Sequence, residues 1–197
     1  ALMSENLGRT DDNVLSEIAS TLAATTNPVE SCTASLPPAP GIYCWWADPM
    51  TFPLLSSPTA AANATDRLLY LGLASNLRKR VTQNHLRRSG SSTLRRTLAG
   101  LLMDTETYST RRTDRVVLVE EDERRLTDWI KVHLRLSWVE FAQPALIEAA
   151  LIERLQPPLN VTHTRGPNRE IVDTARQRYR ESAPPATPRD SSTWPTP

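Results

Sequence analysis

GIYCWW, residues 41–46, is the stretch on which the reading of this chain turns. It is rich in aromatic and β-branched residues, a composition that favours an extended strand. The preceding SLPPAP, residues 35–40, is a stiff lead-in, and residues 47–64, rich in Pro, Ser, Thr and Ala without helical period, read as a long connecting loop. RLLYLGL, residues 67–73, is then a second strand.

Outward from these two strands, the pattern alternates between helices and strands. Val14, Ile18 and Leu22 lie at helical spacing within residues 11–24 and predict a leading helix. Ser75 is placed to cap a helix from Asn76 to about Arg88, with Leu77 and Val81 turned inward. After the break RSGSS, Ser92 or Thr93 caps a helix whose buried stripe is Leu94, Leu98, Leu101 and Leu102, with Arg95 and Arg96 pointing away. Residues 116–119 read as a short strand, 120–133 as a helix with Leu126, Trp129 and Ile130 inward, and 134–141 as an alternating strand. Pro144 opens the next helix, and Pro157-Pro158 stops it after Gln156. A last charged helix is expected over 167–181, and the proline-rich residues 183–197 are expected to be disordered.

With 197 residues, 39% of them hydrophobic, the chain suffices for one core with tails. The expected organisation is an N-terminal helix and linker (1–35), a main domain (36–166), a C-terminal helix (167–182) and a tail (183–197). No apolar run reaches the roughly 18 residues of a membrane span, and the N-terminus lacks a secretory layout, so the expected compartment is the cytoplasm. Cys32 and Cys44 have neither zinc-ligand spacing nor disulfide-scaffold density, and read as a reduced, buried pair. The net charge of +1 conceals a gradient: residues 67–115 hold eleven Arg and Lys against three acids. A cluster of this kind suits a phosphate backbone, although a solvated face in an arginine-biased protein gives the same count.

Gly41-Ile42-Tyr43 on one strand, Tyr70-Leu71-Gly72 on the next, ASNLRKRV (74–81) opening a helix and LIEAALIERLQPPLN (146–160) near the end follow one another in this order. Over residues 38–162 the sequence resembles the GIY-YIG nucleases. The resemblance implies an α/β (α+β) domain with a small, mostly antiparallel central sheet flanked by helices, both motif tyrosines facing one cleft. It also implies hydrolysis of a DNA phosphodiester, the DNA being expected to be double-stranded, with one divalent metal ion, Mg²⁺ or Mn²⁺. The wide gap between Tyr43 and Tyr70 and the segment WIKVHL followed by LIEAALIERLQPPLN look closer to the restriction-enzyme branch than to the excision-repair branch. Leu73 stands where repair relatives carry a lysine.

The residues themselves supply independent reasons. On an ideal helix from Ala145 to Leu155, Glu148 shares a side with Leu151, Ile152 and Leu155, while Glu153 projects away. A carboxylate on an apolar face costs several kcal/mol unless paired or metal-bound, so Glu148 reads as a metal ligand or as the partner of an arginine such as Arg80. The resemblance gives Tyr43 and Tyr70 the task of positioning or deprotonating the attacking water, without separating them. A phenol has an ordinary pKa near 10, so a tyrosine base needs positive charge beside it. Arg80, ten residues after Tyr70, stands where the family carries its arginine and suits a phosphate gaining charge in the transition state. Asn160 matches the family's asparagine, to order a metal-bound water or to hold its loop.

Many relatives place a histidine four residues beyond that arginine. Here the position is Asn84, and His85 comes one later, about 140° around an α-helix from Arg80, so joint action requires a bent or shifted helix. Arg78, Lys79, Arg87, Arg88, Arg95 and Arg96 are the expected DNA-contacting residues. Trp45, Trp46 and Trp138 serve either packing or base stacking. A catalytically inactive binding module, a nuclease toxin and an RNA substrate are the rival readings. Cutting both strands from one site requires either a homodimer or two sequential nicks, and the sequence leaves both open.

Overall fold

The computed structural model describes residues 2–162 and 166–184, with side chains from residue 12 onward. In chain order the elements are α1 (Leu2–Ala24), β1 (Asn27–Pro28), α2 (Val29–Cys32), β2 (Gly41–Ala47), β3 (Arg67–Ala74) and α3 (Leu77–Lys79), which widens into a π-helical turn over Arg80–His85. There follow α4 (Thr93–Glu106), β4 (Thr110–Arg112), β5 (Val116–Leu118), α5 (Glu120–His133), β6 (Leu134–Glu140), α6 (Glu148–Leu155) and α7 (Asn168–Glu181).

Four strands form one antiparallel sheet in the order β1-β6-β2-β3, and β4 and β5 pair as a separate ribbon. The expected α/β architecture with a small antiparallel sheet is therefore present. The central β2 is buried along its whole length because helices cover both faces of the sheet. Ile42, Cys44 and Trp46 enter the core with Ile18, Leu22 of α1 and Leu151, Ile152, Leu155 of α6. Tyr43, Trp45 and Ala47 face the other core, with Leu77, Val81, Leu98, Leu126 and Val172. This explains why the strand reads as continuously apolar rather than alternating. Trp45 and Trp46 are both buried, and Trp46 donates to Ser137 Oγ across the strands at 2.8 Å.

A β-bulge between Trp45 and Trp46 sets which residues of β3 reach the site. Tyr43 pairs with Gly72 and Trp45 with Tyr70, but Trp46 pairs with Leu68, so Leu69 is the extra residue. Leu68 and Leu71 thereby share one face, and Tyr70 shares the other with Tyr43.

Two motif glycines are required by close approach. A Cβ on Gly41 would meet the backbone oxygen of Val139 and Leu77 Cδ1. A Cβ on Gly72 would lie 2.5 Å from Tyr43 Oη and 2.7 Å from its Cζ, because the Tyr43 ring crosses the neighbouring strand there. Gly72→Ala is expected to push the phenol off its partners while the protein still folds and, if Tyr43 has the role that the family resemblance implies, to lower cleavage about a hundredfold, the penalty of a misplacement by about 1 Å. A plasmid-cleavage time course beside a thermal melt checks it.

Several expectations are corrected. The helix expected over 76–88 is α-helical for less than one turn, and its cap is Asn76, whose side chain accepts from Lys79 N, not Ser75. Ser92 is the cap of α4, accepting from Arg95 N. Pro144 begins a 3₁₀ turn, and α6 starts at Glu148 itself; Gln156, at φ 48°, ends it. The polar strand β4 has no counterpart among the expected elements. Arg95 does not point away into solvent: it is fully buried, its guanidinium held by Glu123 and Thr127 of α5. Ala183 is buried against the core, and the disorder expected beyond it falls, from residue 185, outside the described residues. Both cysteines are free and buried. No helix among the described residues is long and apolar enough to cross a membrane.

Candidate active site

Tyr43 on β2 and Tyr70 on β3 are diagonal neighbours on one face, their ring centroids 6.4 Å apart at 37°. Above them runs the segment 77–85. Had it stayed α-helical, Arg80 and His85 would point in different directions. A π-helix closes its hydrogen bonds five residues apart, as Leu86 N does to Val81 O at 3.0 Å, and stacks residues at that spacing on one side. His85 is thereby brought over Tyr43, its Nε2 2.7 Å from Tyr43 Oη, while Arg80 Nε donates to the same oxygen at 3.3 Å. Both side chains converge on one phenol.

The hydrogen bonds continue beneath. His85 Nδ1 lies 2.8 Å from Ser92 Oγ, which also accepts the Arg95 amide at 3.1 Å. Arg95 Nη1 donates to His85 O at 3.0 Å and to Thr127 Oγ1 at 2.9 Å, and its guanidinium pairs with Glu123 at 2.7 Å. Ser92 thus does two jobs, helix cap and histidine partner, of which the sequence revealed only the first. Trp45 packs edge-on against the imidazole at 5.8 Å.

Burial, reinforced by the charges of Arg80 and Arg95, holds the His85 pKa well below its ordinary 6.5, so the imidazole is neutral at physiological pH. A neutral imidazole has one donor and one acceptor nitrogen. With Tyr43 donating to Nε2, Nδ1–H donates to Ser92 Oγ; in the reverse tautomer, Nε2–H and Arg80 Nε–H both donate to the tyrosine oxygen, the arrangement a phenolate needs. Burial raises the Tyr43 pKa well above the phenol range; Tyr70 and Glu148 add to this and Arg80 opposes it. Tyr70 is raised too, by burial first, with Arg80 and Arg176 pulling down and Glu148 pushing up. Both tyrosines are therefore phenols until further positive charge arrives.

Because an unfolded chain would protonate His85 near pH 6.5 and the folded one does not, its contribution to stability is whole above that pH. It is lost as pH falls from about 6.5 toward the depressed folded value. Below pH 6.5 wild type is expected to lose up to about 1.4 kcal/mol per pH unit more than His85→Gln does. Urea melts of both proteins at pH 7.5 and 5.5 read the difference.

Glu148, half-buried at the first residue of α6, acts electrostatically on Tyr43, Tyr70 and Arg80, so its carboxylate belongs to the same cluster. Asn160 is buried and spends its amide on β3: Oδ1 accepts from Leu71 N at 2.9 Å and Nδ2 donates to Leu71 O at 2.7 Å. Of the two tasks foreseen for Asn160, these bonds perform the holding one, fixing the strand next to Tyr70. A cleft of about 420 Å³ opens beside Arg80, lined by Leu73, Ser75, Asn76, Lys79 and Asn84.

Among the basic residues, Lys79, Arg87 and Arg88 are exposed, and Arg78 is exposed with Nε on Leu36 O. Arg96 is half-buried and donates to Ser89 O and Gly90 O. Arg95 lies inside and is withdrawn from the DNA-contacting set. Arg176 of α7, missed from the sequence because its segment looked like a solvated charged helix, donates to Thr97 Oγ1 at 2.9 Å and brings a positive charge toward Tyr70.

No curated protein and no solved structure matches the chain significantly. The family described as the GIY-YIG catalytic domain matches residues 41–181, from the first residue of β2 to the last of α7. With both motif tyrosines on one sheet face under a shared arginine and glutamate, and with that match over most of its length, the chain belongs to the GIY-YIG nuclease family.

Proposed function

We propose that the protein is a divalent-metal-dependent DNA endonuclease, working in the restriction of foreign DNA, modified DNA included. The observation that carries the reading is the π-helical turn, which brings Arg80 and His85 onto one tyrosine oxygen inside the field of Glu148.

The donor set suits a hard cation. Among the described residues no group of three or more His, Cys, Asp or Glu side chains converges. Mg²⁺ or Mn²⁺ needs no such cage, being held typically by one or two carboxylates together with water and substrate phosphate. Glu148 would be its protein ligand. The ion, when bound, supplies charge stabilisation at the phosphoryl oxygens and lowers the pKa of water.

The chain's own groups do the rest. Tyr43, as the phenolate to which His85 Nε2–H and Arg80 Nε–H both donate, takes the proton of the attacking water, and Ser92 and Arg95 hold the imidazole in place. Arg80 steadies the phenolate through Nε and, with Nη1 on Ser91 O, turns Nη2 to the phosphate as it gains charge. Tyr70 orients the water from the adjacent strand, and Asn160 keeps that strand in place.

The test is supercoiled plasmid, unmodified and base-modified, incubated with wild type and Glu148→Ala in Mg²⁺, Mn²⁺ or EDTA. Metal-dependent nicking or linearisation that disappears in the variant is expected. Cleavage by the variant at the wild-type rate would sink the mechanism, and salt-sensitive binding without cleavage under any condition would make the domain a binding module. The proportion of nicked to linear product separates sequential nicking from a dimer.

A further inference from the structure

Several surface arginines are matched with acids, Arg125 with Asp122 and Glu106, Arg135 with Asp66, Arg154 with Asp12, Arg178 with Asp104, while Arg78, Arg124 and Arg180 are exposed with no ion pair among the described residues. Around the turn that follows His85 four such unpaired arginines occur on two adjoining elements. Arg87, Arg88, Arg111 and Arg112 are exposed and, among the described residues, none has an ion pair. The first two leave the catalytic segment directly, and the other two lie on β4. Arg87, Arg88 and Arg111 line one cleft of about 730 Å³ together with Gly90 and Val117. Its opposite wall, α5, carries Glu120 and Asp128 beside Arg124. The cleft therefore has a cationic side, made by the turn and the ribbon, and a mixed side.

The turn is also the mechanical link between ribbon and site. Three guanidiniums donate to its consecutive carbonyls: Arg96 to Ser89 O at 2.7 Å and Gly90 O at 3.1 Å, Arg115 to Gly90 O at 3.1 Å, and Arg80 to Ser91 O at 3.3 Å. Arg115 is itself paired with Asp114 at 3.0 Å, and together the three guanidiniums make the turn a locally positive surface that favours an approaching anion. Ser89 then anchors the turn from inside, its amide donating to Glu123 and its Oγ accepting from Leu118 N of β5.

We propose that the β4–β5 ribbon and the 86–91 turn form a wall that grips the phosphate backbone of duplex DNA alongside the cleaved bond, with Arg111 and Arg112 as contacts beyond the catalytic cluster. This rests on the endonuclease reading. The contacts set register and affinity without reading bases, and each phosphate they neutralise steepens the salt dependence of binding.

Anisotropy of a labelled duplex in EDTA, titrated with the whole chain across a salt series, tests it. Arg111→Ala/Arg112→Ala is expected to weaken binding about tenfold and to lower the log K against log salt slope by about 2. Arg111→Lys/Arg112→Lys restores most of both, and Arg178→Ala, which removes an acid-paired arginine, changes neither. Arg87→Ala/Arg88→Ala, on the turn side, repeats the loss without touching the ribbon. Wild-type affinity and slope in both alanine pairs, from a protein that still cuts DNA, would overturn the wall and leave the nuclease standing. A wild type that neither binds nor cuts DNA overturns both.

Discussion

Glu148→Gln is expected to lower metal-dependent DNA cleavage about a thousandfold, the loss of roughly 4 kcal/mol of transition-state stabilisation. The amide keeps the shape of the side chain at the start of α6 and removes the charge that a hard cation needs. The same charge presently opposes ionisation of Tyr43 and Tyr70. Its removal therefore eases phenolate formation and reduces repulsion of the DNA backbone. Affinity for uncleaved duplex in EDTA should hold or improve while turnover collapses. A glutamate that merely braced the fold would give the opposite pattern, weakening binding, melting temperature and turnover together. Single-turnover rates, duplex affinity and a melt on one preparation separate the two.

Arg95→Met is expected to be the most destabilising of the changes considered, by roughly 3–5 kcal/mol, because Glu123 would be left as an uncompensated, largely buried charge. For a chain of this size that is a fall of about 10 °C in Tm. Glu123 also receives the Ser89 amide, and Arg95 also holds His85 O and Thr127. The pair thus ties the catalytic segment to α4 and α5. Adding Glu123→Gln to Arg95→Met removes the orphaned charge and should return part of the loss, a non-additivity that a double-mutant cycle in urea measures. Simple additivity would show that the two residues do not act as a unit.

The extent to which the sequence disclosed this arrangement varied by kind of information. Tyr43, Tyr70, Arg80 and Glu148 could be chosen because motif order ties them to one site, and the strands carrying the tyrosines have strong β composition. Arg95 could not be placed because a helical wheel shows one helix at a time. Its partners Glu123 and Thr127 come from α5, more than two dozen residues away along the chain, a docking that no local pattern announces. The strand β4 was invisible because Thr110-Arg111-Arg112 is polar; it is a strand only because β5 presents an edge to it. For His85 the signal was present as a discrepancy: a histidine one position late is what a widened helical turn leaves in the sequence. Gly72 is similar, since its identity is set by a tyrosine on the neighbouring strand rather than by its own.

The π-helical turn also says something about how such a site tolerates change in length. A π-helical turn is an α-helical one that has accommodated an extra residue. Removing Asn84 would let the segment close as an ordinary helix and carry the imidazole to four residues past Arg80, the spacing that the family resemblance leads one to expect, without asking β2, β3 or α6 to move. A one-codon deletion inside the catalytic segment would then be tolerated better than many point substitutions there, so alignments that score a gap at this position as damage would mistake two equivalent ways of delivering the same side chain.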